Sequence, residues 1–187
     1  MLYRKIEKDI EGYLRAEDDR IMILEGARQI GKSFIIREVG KKLYDNFIEI
    51  NFAEDDEGPK IFKGIGTTEG FYFTLSSVYG EKLDRYENTL IFLDEIQHYP
   101  QYLTLLKFFR EDRRFRFIAS GSLLGITLRE TTSIPVGSII RKNMYQLDFE
   151  EFLIANGFGQ EALNTLRTKL MNRESLDESL HDYIMNL

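Results

Sequence analysis

The chain has 187 residues, 43% of them hydrophobic, which is an ordinary composition for a globular protein with one main core. It has no cysteine and only two histidines, His98 and His181, which excludes disulfides and thiolate or histidine metal clusters and fits a reducing cytoplasm. A net charge of −6 argues against broad electrostatic binding of nucleic acid, but leaves room for a local basic patch. No apolar run has the length of a membrane span, so neither export nor membrane insertion is expected.

The first part of the chain predicts a helix, a strand, a glycine-rich loop, a second helix and a second strand. The first helix is predicted from apolar residues at helical spacing, namely Ile6, Ile10, Tyr13 and Leu14. The apolar run 21–24 is typical of a strand buried on both faces of a parallel sheet. A helix is predicted from Ser33, and the alternating stretch "NFIEINF" predicts the next strand. This order is that of a βαβ unit.

The remaining elements are predicted less completely. Residues 53–88 are rich in Phe, Tyr and Gly and carry no firm assignment, although "EDDEG" within them reads as a solvated turn. "TLIFLDEIQ" predicts a strand that runs into two carboxylates, a helix follows Pro100, and "FRFIASGS" predicts another strand. We expect "LRETTSIPVGS" to be a loop and "NMYQL" a short strand. Asp148 and Glu151 form a capping-box pattern that begins a further helix.

A glycine-rich motif lies directly after the first predicted strand. Gly26, Gly31, Lys32 and Ser33 match G-x-x-x-x-G-K-[ST], a pattern expected by chance in about one chain of this length in a hundred. In this motif backbone N–H groups and a helix amino terminus converge on phosphate oxygens, while the lysine supplies charge and the serine a hydroxyl for magnesium. The sequence therefore predicts a phosphate-binding loop, and the predicted nucleotide contacts are Gly26, Ala27, Arg28, Gln29, Ile30, Gly31, Lys32, Ser33 and Phe34.

Two adjacent carboxylates, Asp94 and Glu95, end the strand that begins at Thr89. At the carboxyl end of a central parallel strand, an aspartate can hold Mg²⁺ together with Ser33. The glutamate can orient an attacking water or accept its proton. Because a metabolite kinase needs no glutamate to activate water, the pair favours a nucleoside-triphosphate hydrolase.

Two further groups of polar residues leave alternatives open. Ser120 and Ser122 end the strand "FRFIAS"; a hydroxyl there can sense the γ-phosphate or the attacking water, or merely form a turn. An arginine cluster can supply an arginine finger in trans, contact nucleic acid, or be a solvated helix end; its members are Arg110, Arg113, Arg114 and Arg116.

The carboxyl-terminal segment carries two apolar stripes at helical spacing. The first consists of Leu163, Leu166 and Leu170, and the second of Leu176, Leu180, Ile184 and Leu187. An apolar stripe that reaches the last residue needs something to cover it. We therefore expect either a following domain or a protein partner.

The stretches "EGARQIGKS", "LIFLDEIQHYPQYLTLLKFFRED", "FRFIASGS" and "IPVG" followed by "LDFEEFL" together resemble the bacterial and archaeal AAA-type P-loop ATPases. The resemblance covers nearly the whole chain. It implies that Lys32 binds phosphate, that Ser33 and Asp94 hold magnesium, that Glu95 is the catalytic base and that Ser120 is the sensor. It also implies a sensor strand between the strands of the phosphate loop and the acidic pair. The family tends to have a basic residue after "PVG", where this chain has Ser138; Arg141 is the nearest substitute.

The resulting hypothesis is an α/β P-loop NTPase three-layer fold of AAA type, with a parallel central sheet followed by carboxyl-terminal helices. Residues 1–155 form the ATPase core, and 156–187 begin a lid or a following domain. The predicted function is binding of ATP with Mg²⁺ and hydrolysis of the β–γ bond, in the cytoplasm, to drive or switch an attached or partner module. Homo-oligomerisation and nucleic-acid binding stay open. The alternative is a nucleotide-dependent interaction module with negligible turnover.

Overall fold

A computed structural model of the chain describes residues 2–83, 88–122 and 136–187. The chain divides into two compact units. The larger unit comprises residues 6–145 and the smaller one residues 1–5 and 146–187. The domain boundary after residue 155 is a separate prediction from this division, and it stays a prediction.

The larger unit alternates strands and helices. In chain order its elements are α1 (Ile6–Arg15), β1 (Ile21–Glu25), α2 (Lys32–Leu43), β2 (Asn46–Asn51), α3 (Phe52–Glu57), α4 (Thr68–Leu83), β3 (Thr89–Asp94), a 3-10 helix (Ile96–His98), α5 (Gln101–Asp112), β4 (Arg116–Gly121), a second 3-10 helix (Val136–Ser138) and β5 (Ile139–Asn143). Among the described residues, no helix is both long and apolar enough to cross a membrane.

The strands form one parallel sheet in the order β2-β3-β4-β1-β5. Strand β4 therefore lies between β1, which leads into the glycine-rich loop, and β3, which ends in Asp94, as the family resemblance implies. Because all the strands run the same way, their last residues meet at one end of the sheet. We refer to this as the carboxyl end and to the opposite one as the amino end.

Helices cover both faces of the sheet, which gives the predicted three layers. On one face, α1 and α2 bury Ile10, Tyr13, Ile35 and Val39 against alternate strand residues such as Phe92. On the other face, α4 and α5 bury an aromatic cluster against the intervening strand residues; its members include Phe71, Tyr72, Tyr102, Phe109 and Phe117. Burial on both faces explains the continuous apolar runs in β1 and β3.

Two local predictions were wrong. The acidic run "EDDEG" is largely helical, since Asn51 caps α3, and Asp55 is buried, where it accepts hydrogen bonds from the backbone N–H groups of Ile61 and Phe62 and from the hydroxyl of Tyr99. The last strand is β5 and not "NMYQL". Its register with β1 ends at Glu25 opposite Asn143, so the length of β1 decides where β5 stops. Of the predicted loop 128–138, residues 128–135 lie outside the described residues.

The smaller unit contains the helices α6 (Phe149–Ala155), α7 (Gln160–Asn172) and α8 (Glu178–Met185). The predicted capping box of Asp148 and Glu151 is confirmed, since both of its hydrogen bonds are present. The two apolar stripes pack largely on one another: Leu163 and Leu166 are buried, and Leu176, Leu180 and Ile184 are partly buried against them. Leu170 and Leu187 remain exposed, and for them the predicted covering partner stays a prediction.

Candidate functional site

The glycine loop, residues 26–31, joins the carboxyl end of β1 to the amino terminus of α2. Gly26 has φ +156°, and a Cβ there would lie 2.3 Å from the carbonyl oxygen of Met144, so a side chain does not fit. Gln29 and Gly31 also have positive φ, at 62° and 96°. This backbone leads directly into the start of α2, and in an α-helix the first N–H groups lack partners within the helix, which is the arrangement that binds phosphate.

The side chain of Lys32 folds back onto the loop. Its Nζ donates hydrogen bonds to the carbonyl oxygens of Gly26 at 3.1 Å and Ala27 at 2.7 Å. Burial lowers the pKa of Lys32, and the nearby carboxylates of Glu95 and Asp94 partly oppose this shift. In the described part of the chain, no carboxylate forms an ion pair with Lys32, so its charge has only neutral hydrogen-bond partners there.

Asp94 is buried at the carboxyl end of β3. Its carboxylate accepts a hydrogen bond from the hydroxyl of Ser120 on β4, and the hydroxyl of Ser33 on α2 is near enough to influence it. Burial raises the pKa of Asp94, and these two hydroxyls act in the opposite direction. The structure therefore brings together both residues predicted to hold magnesium, whereas Ser120 is fully buried, with its hydroxyl directed at Asp94.

Glu95 adopts a left-handed backbone conformation with φ 52°, which is uncommon for a residue other than glycine. Its Oε2 atom accepts a hydrogen bond from Ser122 Oγ at 3.3 Å and another from the amide Nε2 of Gln97. Gln97 also bonds Ser122 directly, through Nε2 to Oγ at 3.1 Å and through Oε1 from the backbone N–H at 3.3 Å. Glu95 is thus held by residues of two strand ends.

Strand β4 and the residue after it supply one hydroxyl to each carboxylate. Ser120 and Ser122 are two residues apart and therefore on the same face of the chain, and they bond Asp94 and Glu95 in turn. Position 97 was missed by the sequence reasoning, because a glutamine after an acidic pair carries no distinctive spacing. An amide two residues beyond a candidate base is the signal that could have indicated it.

The oxygen donors at this end of the sheet suit magnesium. No group of three or more His, Cys, Asp or Glu residues that could hold a metal ion occurs within residues 2–83, 88–122 and 136–187. Magnesium does not require one, because it keeps several waters and binds through one or two protein oxygens together with substrate phosphates. The hydroxyl of Ser33 beside the carboxylate of Asp94 is such a pair.

The remaining predicted nucleotide contacts line the outside of the loop. Ala27 and Arg28 are exposed, Ile30 is half-buried, and Phe34 is 51% exposed on the first turn of α2. The charge of Arg28 is near enough to Lys32 to disfavour the lysine's charged form. Arg28 and Phe34 are therefore accessible to a ligand in this structure.

The structure separates Ser138 from the loop. Ser138 is buried just before β5, whose first residue pairs with Ile21 at the amino end of the sheet. Arg141, the suggested substitute, makes a bidentate ion pair with Glu25 at 2.5 and 2.7 Å. In this structure the charge of Arg141 is therefore neutralised by a carboxylate at the end of β1.

The arginine cluster also lies at the amino end. Arg110 and Arg113 share Asp19, at 3.2 and 3.0 Å from its Oδ2. Arg116 lies over the ring of Tyr13 at 4.1 Å and donates to the carbonyl oxygens of Tyr13 and Asp18, while Arg114 lies over the ring of Tyr72 at 4.3 Å. These contacts lie at the opposite end of the strands from the glycine loop of the same chain.

Comparison with known proteins agrees with this fold and arrangement. A family model described as an AAA domain matches residues 18–153. Among solved structures, the chain is similar to a Walker-type ATPase of Pyrococcus abyssi, with a TM-score of 0.52 and 16% identity over 96% of this chain. The chain spans 61% of the length of that protein. A search of curated proteins found no match. The family model covers most of the chain, and the chain therefore belongs to the AAA domain family of P-loop ATPases.

Proposed function

We propose that this chain binds ATP with Mg²⁺ and hydrolyses the β–γ bond. The observation that carries the proposal is that the start of α2, with Ser33, lies beside the two carboxylates at the end of β3, Asp94 and Glu95. This arrangement puts a phosphate-type loop and two carboxylates at the same end of the sheet. Membership of the AAA domain family supports nucleotide binding.

Each residue has a stated role in the proposal. The N–H groups of the glycine loop and the ammonium of Lys32 bind the phosphates, and Ser33 and Asp94 hold the metal ion. When bound, magnesium neutralises charge on the phosphate oxygens. Ser120 holds Asp94 in place through its hydrogen bond.

Glu95 is the proposed general base. It orients a water molecule and accepts its proton as the water oxygen bonds to the γ-phosphorus. The bond from that phosphorus to the bridging oxygen breaks, and ADP and phosphate are released. The loop N–H groups and Lys32 stabilise the charge that develops on the transferred group.

The biological use of this reaction is a second part of the proposal. We infer that hydrolysis drives or switches an attached or partner module, with assembly into homo-oligomers as one way to do so. The size difference from the Pyrococcus ATPase, of which this chain spans 61%, supports a further module in that protein. ATP is preferred to GTP on family grounds, and a cytoplasmic location fits the cysteine-free sequence.

The test is calorimetric titration of the whole chain with Mg-ATP and Mg-GTP, with phosphate release measured on the same samples. Saturable ATP binding that is lost in Lys32→Ala would support the site. Turnover that is lost in Glu95→Gln, with binding retained, would support hydrolysis. Binding without turnover would instead favour the nucleotide-dependent interaction module, and no binding by a folded chain would overturn the proposal.

A further inference from the structure

The carboxylate of Glu95 is held by two neutral donors. Both the amide of Gln97 and the hydroxyl of Ser122 donate to the same oxygen, Oε2. The other oxygen, Oε1, has no hydrogen-bond partner in the part of the chain that the structure describes. One oxygen is therefore fixed while the other is left for a ligand.

The two donors are themselves fixed, because Gln97 uses both ends of its amide. Its Nε2 reaches Glu95 and the hydroxyl of Ser122, and its Oε1 accepts the backbone N–H of Ser122 at 3.3 Å. This pairing ties the turn after β3 to the residue after β4. We call Gln97 and Ser122 the glutamate clamp.

The backbone around Glu95 makes the clamp possible. The left-handed conformation of Glu95 turns the chain directly into the 3-10 helix Ile96–His98, whose first residue is buried. This turn brings the side chain of residue 97 back beside that of residue 95. A conformation that is rare outside glycine persists only where its surroundings enforce it, and such positions concentrate at functional sites.

The chemistry of a general base explains why the side chain of Glu95 would need to be held in place. A base acts only when its oxygen stays within hydrogen-bond reach of the proton that it accepts, and a displacement of about 1 Å can reduce a rate about a hundredfold. Neutral donors fix the carboxylate without cancelling its charge, whereas an arginine or lysine partner would compete with the water.

We propose that Gln97 and Ser122 are positioning residues that orient Glu95 toward the attacking water. This inference rests on the proposed function, since it assigns Glu95 the role of base. Neither residue is expected to contact the nucleotide.

The first experiment compares steady-state phosphate release by the whole wild-type chain with that of Gln97→Met, which keeps the side-chain length and removes the amide. We expect kcat to fall about tenfold or more, while KM for Mg-ATP changes by less than about twofold. Gln101→Met is the matched control, because it makes the same chemical change at a glutamine outside the clamp. It should leave both constants unchanged.

A second pair of variants keeps the inference testable if Gln97→Met folds poorly. Ser122→Ala removes the hydroxyl donor and should lower kcat, and Ser122→Thr restores a hydroxyl and should recover most of the loss. A merely structural role of Ser122 would not follow the hydroxyl in this way. Mg-ATP affinity measured by calorimetry should be the same in all four variants.

The decisive measurement is the double-mutant cycle with Glu95→Gln. If the clamp acts through Glu95, Gln97→Met should have no further effect on turnover once Glu95 is replaced. Crystal structures of wild type and Gln97→Met provide a readout independent of activity, since the carboxylate of Glu95 should move away from Ser122 in the variant.

The outcomes separate the inference from the proposed function. If Glu95→Gln strongly lowers turnover, the clamp alone would be overturned in either of two cases. In the first, Gln97→Met leaves wild-type turnover intact; in the second, it reduces the residual turnover of Glu95→Gln by the same factor as that of wild type. A wild-type chain that releases phosphate no faster than Glu95→Gln would overturn both. A loss of kcat confined to the clamp variants and absent in the Glu95→Gln background would support both.

Discussion

Charged side chains at the two ends of the sheet have different kinds of partners. At the carboxyl end, Lys32 is hydrogen-bonded to backbone carbonyls, Asp94 to the hydroxyl of Ser120, and Glu95 to an amide and a hydroxyl. At the amino end, Arg110 and Arg113 share the carboxylate of Asp19. Neutral partners hold a charged group in place without neutralising it, whereas in an ion pair each group neutralises the charge of the other.

This difference indicates at which end of the sheet a charged ligand can gain electrostatic binding free energy. Asp94, Glu95 and Lys32 keep charge that a phosphate and a metal ion can use, and their positions are already fixed. The pair of Glu25 and Arg141 differs from these residues, since each neutralises the charge of the other. The arginines of the amino end instead join α5 and β4 to the segment between α1 and β1.

The largest expected effect follows from removing the lysine of the carboxyl end. We predict that Lys32→Ala lowers Mg-ATP affinity by about tenfold to a hundredfold, because a hydrogen bond to a charged group contributes about 1.5–3 kcal/mol. The free energy of unfolding should change little, because losing a buried charge that folding disfavours offsets losing the two hydrogen bonds to loop carbonyls. Calorimetry and denaturant unfolding measure the two quantities. Lys42→Ala, an exposed change on the same helix, should alter neither, and a destabilised Lys32→Ala would contradict the comparison.

At the amino end, Arg116→Met should lower the stability of the protein and leave its affinity for Mg-ATP unchanged. The variant removes the side-chain donor to the carbonyl oxygen of Asp18 and one of two donors to that of Tyr13, which we expect to lower the free energy of unfolding by about 1–3 kcal/mol. Mg-ATP affinity should not change, because the arginine lies at the other end of the strands. Arg15→Met, at an exposed position on α1, is the control. Weaker nucleotide binding at unchanged stability would give Arg116 a role in the site.

A smaller effect is expected from pH. Because burial raises the pKa of Asp94, this carboxyl takes up a proton at a higher pH than an exposed aspartate does. The protonated form cannot hold magnesium, so the gain in ATP affinity from Mg²⁺ should shrink at a higher pH than the one at which exposed aspartates titrate. Calorimetry with and without Mg²⁺ over a pH series measures this gain. Asp94→Asn should show little gain at any pH, and a wild-type gain that persists until ordinary aspartates titrate would contradict the prediction.

The smallest effect concerns nucleic acid. Since Arg113 is already paired with Asp19 and the net charge is −6, we expect Arg113→Glu to leave the electrophoretic mobility of a labelled DNA unchanged at low salt. Mobility shift of the same DNA by wild type and variant is the measurement. A wild-type shift that declines steeply with salt and disappears in Arg113→Glu would restore the nucleic-acid hypothesis.

Much of the candidate site could be predicted because its signals are local. The glycine loop, the buried strand before it and the helix after it occupy one short stretch, and Asp94 with Glu95 are adjacent in a strand. The capping box of Asp148 and Glu151 is equally local and was confirmed. In these cases backbone geometry and side-chain spacing depend on neighbours a few residues away.

The partners of these residues could not be predicted in the same way. Gln97 and Ser122 are 25 residues apart, and Arg110 and Asp19 are 91 apart. Asp55 looked like part of a solvated acidic run, but three donors that come from two other segments allow it to be buried.

The sequence by itself determined the first βαβ unit, the phosphate-type loop and the presence of an acidic pair at a strand end, because periodicity and motif spacing are properties of contiguous residues. The position of β4 between β1 and β3 was implied by the family resemblance and not by spacing, and the tertiary structure alone decided that Ser120 reaches Asp94 and Ser122 reaches Glu95. It also decided which charges are neutralised. The physical reason is that strand order and register bring distant residues within hydrogen-bond distance. The spacing of residues within one segment does not indicate which residues of another segment they will meet.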